Sequence, residues 1–167
     1  MRLFLAIIPD NGIKDELCMI QKRLQLQGVK GNYTKRENMH LTLAFIGEYN
    51  DPGYISEVLS GVVFEPVRLV INGFGSFRDL YWIGIAEDKG LEVNVKRIRR
   101  ALSDNGIPFD RKKFMPHMTI ARNIVFDKGF PTDVPFPAAM DVERISLMRS
   151  DRGKSGMIYT EIDEYII

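Results

Sequence analysis

Apolar positions in this chain fall into two rhythms, one suited to strands and one to helices. Residues 3–8 (Leu-Phe-Leu-Ala-Ile-Ile) form a short apolar run closed by Pro9, which predicts a buried strand. Asp10 or Asn11 can cap the helix that follows. In that helix Ile13, Leu17, Ile20 and Leu24 recur at spacings of 4, 3 and 4 and so line one face. Gly28 is placed to end it. After a turn around Gly31-Asn32, the pattern predicts a strand over 39–46 closed by Gly47. A helix over about 52–60 and a strand over 67–71 follow, the latter ending in the turn signal Asn72-Gly73.

The same order then returns. Residues 80–85 (Leu-Tyr-Trp-Ile-Gly-Ile) read as a second short strand. Leu91, Val95, Ile98 and Leu102 repeat the helical spacing, Gly106 and Pro108 stop that helix, and 114–121 reads as the next strand. Leu3 and Leu80 stand 77 positions apart, as do His40 and His117, and the two helical stripes stand 78 apart. A strand–helix–strand unit recurring at a near-constant offset predicts an internal repeat. Strand-like segments at 142–148 and 157–166 close the chain. The expected fold class is α+β, with two pseudo-symmetric lobes related by a pseudo-twofold axis. Each lobe is an antiparallel sheet with flanking helices, an active-site cleft lies between them, and residues 1–167 form one bilobal domain.

Composition narrows the function classes. The 167 residues suit one domain, and 45% hydrophobic with 27% charged is ordinary for a globular protein. A net charge of +1 gives no global field, so any phosphate contact must come from a local patch. The single Cys18 rules out an intrachain disulfide and fits a reducing compartment. The apolar N-terminal run is too short for a signal-peptide core, and no stretch approaches the roughly 18 apolar residues of a membrane span. The expected location is the cytoplasm, with no membrane contact and no obligate protein partner.

The candidate chemistry rests on two histidines, the chain's full complement, in matched settings: His40-Leu41-Thr42-Leu43 and His117-Met118-Thr119-Ile120. Alternation on a strand puts His and Thr on one face and the apolar pair on the other. Two such strands facing across a cleft would hold a single phosphoryl group. One imidazole would take a proton from water and the other would give one to the leaving oxygen, while the hydroxyls donate to the non-bridging oxygens. An ordinary imidazole pKa of about 6.5 allows one neutral and one charged copy near neutrality. A single His-x-Thr carries almost no information, since Thr is common in strands. The two occurrences at the repeat offset carry the inference. Two histidines and a distant cysteine offer no zinc ligand set, and no Gly-rich phosphate loop is present, so no metal or cofactor is expected.

These paired motifs resemble those of the two-histidine (2H) phosphoesterase superfamily, and in particular its bacterial and archaeal RNA 2′,3′-cyclic phosphodiesterase branch, once described as 2′-5′ RNA ligases. The likeness extends through Arg2-Leu3-Phe4-Leu5-Ala6-Ile7, Asn38-Met39-His40-Leu41-Thr42-Leu43-Ala44-Phe45-Ile46-Gly47, Tyr81-Trp82-Ile83-Gly84-Ile85, Phe114-Met115-Pro116-His117-Met118-Thr119-Ile120-Ala121-Arg122 and Gly156-Met157-Ile158-Tyr159-Thr160, in order along nearly the whole chain. Phe77-Arg78-Asp79-Leu80 departs from it by lacking a proline-containing turn. The resemblance implies metal-independent opening of an RNA 2′,3′-cyclic phosphate to a 2′-phosphate. His40 is then the proton donor, His117 the proton acceptor, and Thr42, Thr119 and Arg122 the phosphate contacts. Residue patterns alone leave the two histidine roles interchangeable. Strict alternation puts Arg122 on the face opposite His117, so only a bulge or the strand's end would bring it to the phosphate.

A basic cluster surrounds the second motif. Lys96, Arg97, Arg99 and Arg100 read mostly as a solvated helix face, and Arg111, Lys112 and Lys113 as better candidates to guide an RNA backbone. Tyr33, Phe45, Phe74, Phe77 and Tyr81 are the aromatics considered for base stacking. Three other activities fit the same residues: a non-catalytic RNA-end or nucleotide binder, an enzyme acting on another cyclic phosphate such as an ADP-ribose derivative or on 2′-5′ linked RNA, and the reverse ligation of RNA ends. Retention of both His-Thr pairs argues against binding alone, which needs no matched acid and base.

Overall fold

Asp10 and Asp88 start the two long helices in the same way. The Asp10 carboxylate accepts from the Ile13 amide (2.9 Å) to open α1 (Asn11–Leu26), and that of Asp88 accepts from Leu91 (2.8 Å) to open α3 (Lys89–Asp104). Each cap contributes about 1 kcal/mol. The helices also end alike. Gly28 (φ +81°) and Gly106 (φ +68°) adopt the left-handed conformation, and the next amides, Val29 and Ile107, reach back to the carbonyls of Leu24 and Leu102. Both stripes foreseen from their spacing are buried.

The structure is a computed structural model that describes residues 1–125 and 137–167. Its strands are β1 (Arg2–Ile7), β2 (Lys30–Tyr33), β3 (Leu41–Glu48), β4 (Arg68–Phe77), β5 (Leu80–Ile85), β6 (His117–Val125), β7 (Ala139–Asp141), β8 (Arg144–Gly153) and β9 (Gly156–Ile166). A short helix α2 (Pro52–Ser60) follows β3, and one 3₁₀ turn (Arg36–Asn38) precedes it. The strands form a mixed-order antiparallel sheet, β7-β4-β5-β6-β3-β1-β8-β9, with β2 on the free side of β6.

The sheet is two halves with a narrow join: β6 and β3 share one paired position, Leu41 with Met118. The helices bridge that join. α1, which leaves the β1 half, packs against β6 and β7, and α3, which leaves the β5 half, packs against β3. Gln21 on α1 adds bonds to the carbonyls of Thr34 (2.8 Å) and Ile120 (3.0 Å). One apolar core therefore runs under both halves, from Leu3 and Leu41 to Ile83, Met118 and Leu147. No helix among the described residues is long and apolar enough to cross a membrane.

Several boundaries differ from those expected. Asn72-Gly73 is not a turn: β4 continues through it, with a register shift between Ile71 and Phe74. A strand can absorb a Gly by bulging when its partner continues. The chain reverses instead at Arg78-Asp79, with Arg78 at φ +56°, a two-residue hairpin that needs no proline. Gly31-Asn32 lies inside β2, which pairs with β6, and β7 was not foreseen at all. The last two strands run longer than their apolar cores. Polar residues 149–153 still pair with 156–160, because a hairpin propagates through backbone bonds whatever its exposed side chains are.

Candidate active site

Two matched bulges set the face of each motif strand. On β3, Leu5 pairs with Ala44 but Ala6 with Thr42, leaving Leu43 as the extra residue. On β6, Tyr81 pairs with Ala121 but Trp82 with Thr119, leaving Ile120 extra. The consecutive residues Leu43-Ala44 and Ile120-Ala121 are all buried, so the alternation restarts one residue late. Thr42 and Phe45 consequently share the outward face of β3, with His40 immediately ahead of the strand, and His117, Thr119 and Arg122 share that of β6. Without its bulge, β6 would turn Arg122 into the core. Phe45 and Arg122 sit at corresponding places beyond the two bulges, so the site is symmetric in backbone and asymmetric in chemistry.

Both imidazoles are held by the same local device. His40 Nδ1 donates to the Asn38 carbonyl at 2.7 Å, and His117 Nδ1 donates to the Met115 carbonyl at 2.6 Å. A carbonyl only accepts, so in the neutral ring Nδ1 carries the proton and Nε2 is the nitrogen free to exchange one. Asn38 is itself tied down, its side-chain amide donating to the Met157 carbonyl on β9 at 2.8 Å. Aromatic walls flank each ring. Phe4 and Tyr159 stand 5.0 and 5.1 Å from His40, and Phe77 and Trp82 stand 5.1 and 5.9 Å from His117. Trp82 reaches this position because residue 75 is glycine: a Cβ there would lie 2.3 Å from the indole ring.

Two cavities open on either side of the histidine pair, with Thr42 and Phe45 bordering both. One, of about 580 Å³, holds His117 together with Phe77, Arg99, Lys112, Lys113 and Phe114. The other, of about 600 Å³, holds His40 with Arg122, Arg2, Arg152, Phe4 and Tyr159. Thr119 lies beside Trp82 in the sheet and borders neither cavity. Among the described residues no group of three or more His, Cys, Asp or Glu side chains is placed to hold one metal ion.

Burial against its aromatic walls pushes the His40 pKa below the ordinary 6.5; the bond to Asn38 opposes this, and the charges of Arg122 and His117 add to it. With two histidines in the chain, an NMR titration gives two imidazole Hε1 signals, and His40→Ala identifies its own. In the free protein that signal is expected to titrate below 6.5 and to move to higher pH on addition of inorganic phosphate, since a bound anion favours the charged ring. Titration above 6.5 without ligand would contradict the packing described for His40.

The structure thus brings together His40, Thr42, His117 and Arg122, and sets Thr119 on the same face of β6 as His117 but outside both cavities. Of the aromatics considered, Phe45 and Phe77 border the cleft; Tyr81 is fully buried and stacks on Phe74, and Tyr33 bonds the Val29 carbonyl. Within the basic cluster, Arg97 pairs with Glu65 and Arg100 with Asp104, as a solvated face would. Arg99 turns to the cavity and donates to the Lys112 carbonyl at 2.8 Å. Residue patterns missed Phe4, Tyr159, Trp82, Arg2 and Arg152. Their signals were weak, since each belongs to a strand remote in sequence from the motif it serves.

The model of the 2′-5′ RNA ligase superfamily matches residues 14–154. The chain is 30% identical to the RNA 2′,3′-cyclic phosphodiesterase of Thermotoga maritima, over 98% of this chain and 94% of that one. It is 31% identical to the RNA 2′,3′-cyclic phosphodiesterase of Methanocaldococcus jannaschii, over 99% and 100%. Its fold matches the crystal structure of E. coli LigT in apo form with a TM-score of 0.85 at 22% identity, covering 99% of this chain and 96% of that one. The matched bulges and paired histidines sit within the segment that the family model covers, and the chain belongs to the 2′-5′ RNA ligase superfamily of two-histidine phosphoesterases.

Proposed function

We propose that this protein is an RNA 2′,3′-cyclic phosphodiesterase that leaves a 2′-phosphate and needs no metal. His117 Nε2 takes a proton from water as the water oxygen bonds to phosphorus. The P–O3′ bond breaks, and His40 Nε2 gives its proton to the departing O3′. Thr42, Thr119 and Arg122 stabilise the charge gathering on the non-bridging oxygens. The observation that carries this reading is the matched pair of imidazoles, each with Nδ1 bound to a backbone carbonyl two residues earlier and Nε2 left for proton exchange. The names of the relatives, RNA 2′,3′-cyclic phosphodiesterase, support the substrate and the class of reaction.

The donor role asks His40 to be charged, which its surroundings disfavour in the free protein. A cyclic phosphate brings a negative charge beside it and reverses that bias. The test is incubation with EDTA and an oligoribonucleotide ending in a 2′,3′-cyclic phosphate, followed by identification of the product isomer. The 2′-phosphate is expected, at a rate unchanged by the chelator. A 3′-phosphate product would reverse the leaving group, and loss of activity restored by one added metal would overturn the metal-independent mechanism.

A further inference from the structure

The cavity on the His40 side holds more positive charge than one cyclic phosphate uses. Arg2 on β1 pairs with Ser150 on β8, and Arg152 lies two residues further along β8 on the same face, opposite Met157. With Arg122 they make three guanidinium groups bordering one cavity. Two carboxylates border it as well, and both are engaged: Glu48 by the N-terminal amine (3.2 Å) and Asp151 by Arg149 (2.7 Å). Among the described residues Arg2, Arg122 and Arg152 form no ion pair. Arg2 rests over the Phe45 ring, 4.9 Å from its centroid, which holds its charge at the cavity wall. In the opposite cavity Lys112 lies 3.6 Å from Asp110, Arg99 donates to the Lys112 carbonyl, and Lys113 adds a third cation.

The chemistry gives this excess a direction. If His40 protonates the departing O3′, the ribose and every nucleotide upstream of it lie on the His40 side, and water enters from the His117 side. We infer that Arg2 and Arg152 bind the phosphodiester backbone upstream of the cyclic end, so that the enzyme favours an RNA strand over a free cyclic nucleotide. This rests on the donor role proposed above for His40. Arg122 serves the reacting phosphate, and the other two serve its neighbours.

The test compares kcat/KM for 2′,3′-cyclic CMP with that for a short oligoribonucleotide ending in a 2′,3′-cyclic phosphate. The double variant Arg2→Gln/Arg152→Gln is expected to lower the strand-to-mononucleotide ratio about tenfold and to flatten the log–log salt dependence by about 1.4, at roughly 0.7 per phosphate contact on a single strand. A ratio unchanged in that variant, or one that falls in Lys112→Gln/Lys113→Gln instead, overturns the inference and moves the strand to the other cavity. Binding of the 2′-phosphate-ended oligonucleotide and of 2′-CMP reads the same ratio without turnover. An inactive wild type therefore overturns the reaction while the affinity ratio still decides the role of the two arginines.

Discussion

His40→Ala and His117→Ala are each expected to lower kcat on a cyclic-phosphate-ended oligoribonucleotide by about 10²–10⁴, the usual worth of one positioned acid or base. The double variant is expected to be little worse than either single one, because the two groups act in one step and neither is useful alone. Both side chains are half-buried and bond only to backbone, so the fold should survive, with melting followed by circular dichroism as the control. The two variants also separate the roles. With His117 as base, the residual activity of His117→Ala loses its acidic limb and keeps the alkaline one, and His40→Ala does the reverse. Near wild-type turnover in either variant would end the two-histidine mechanism.

Arg122→Gln is expected to lower kcat/KM by about 10²–10³, the cost of removing one preorganised donor from charge that develops at a reacting centre. A solvent-facing arginine would show almost no effect. The β6 bulge separates these outcomes, since it places Arg122 on the His117 and Thr119 face and in the cavity of His40. A second readout does not depend on turnover. The charge of Arg122 helps depress the His40 pKa, so Arg122→Gln should move the His40 titration to higher pH. Arg122→Lys keeps the charge and loses the planar fork, and should recover the titration more fully than the rate. A His40 titration that ignores Arg122→Gln would show that the two groups do not meet in solution.

Residue patterns along this chain were sufficient for its α+β class, both long helices with their stops and the cap of the first, and the placing of both histidines in matched strand motifs. These follow from short-range rules. A 4, 3, 4 spacing of apolar residues defines a helix face, Asp at the start and Gly at the end define its limits, and a motif present twice at one offset stands out without any structure. The buried partners Leu41, Leu43, Met118 and Ile120 followed from alternation alone.

What alternation could not supply was the place where it fails. The extra residues Leu43 and Ile120 look like ordinary strand residues, and only pairing with β1 and β5 shows that two residues of one strand face one of the next. The side on which Arg122 and Phe45 emerge is therefore a property of the sheet. The same holds for β2, whose sequence Lys-Gly-Asn-Tyr has no apolar alternation and which pairs along the free edge of β6, and for the crossing of α1 and α3 onto the opposite halves. The walls of His40, Phe4 from β1 and Tyr159 from β9, come from opposite ends of the chain. Local sequence determines what each segment can be, because propensity and capping act over a few residues. Which side chains meet around the histidine pair depends on strand order and register, and those are decided only when distant segments share backbone hydrogen bonds and one core.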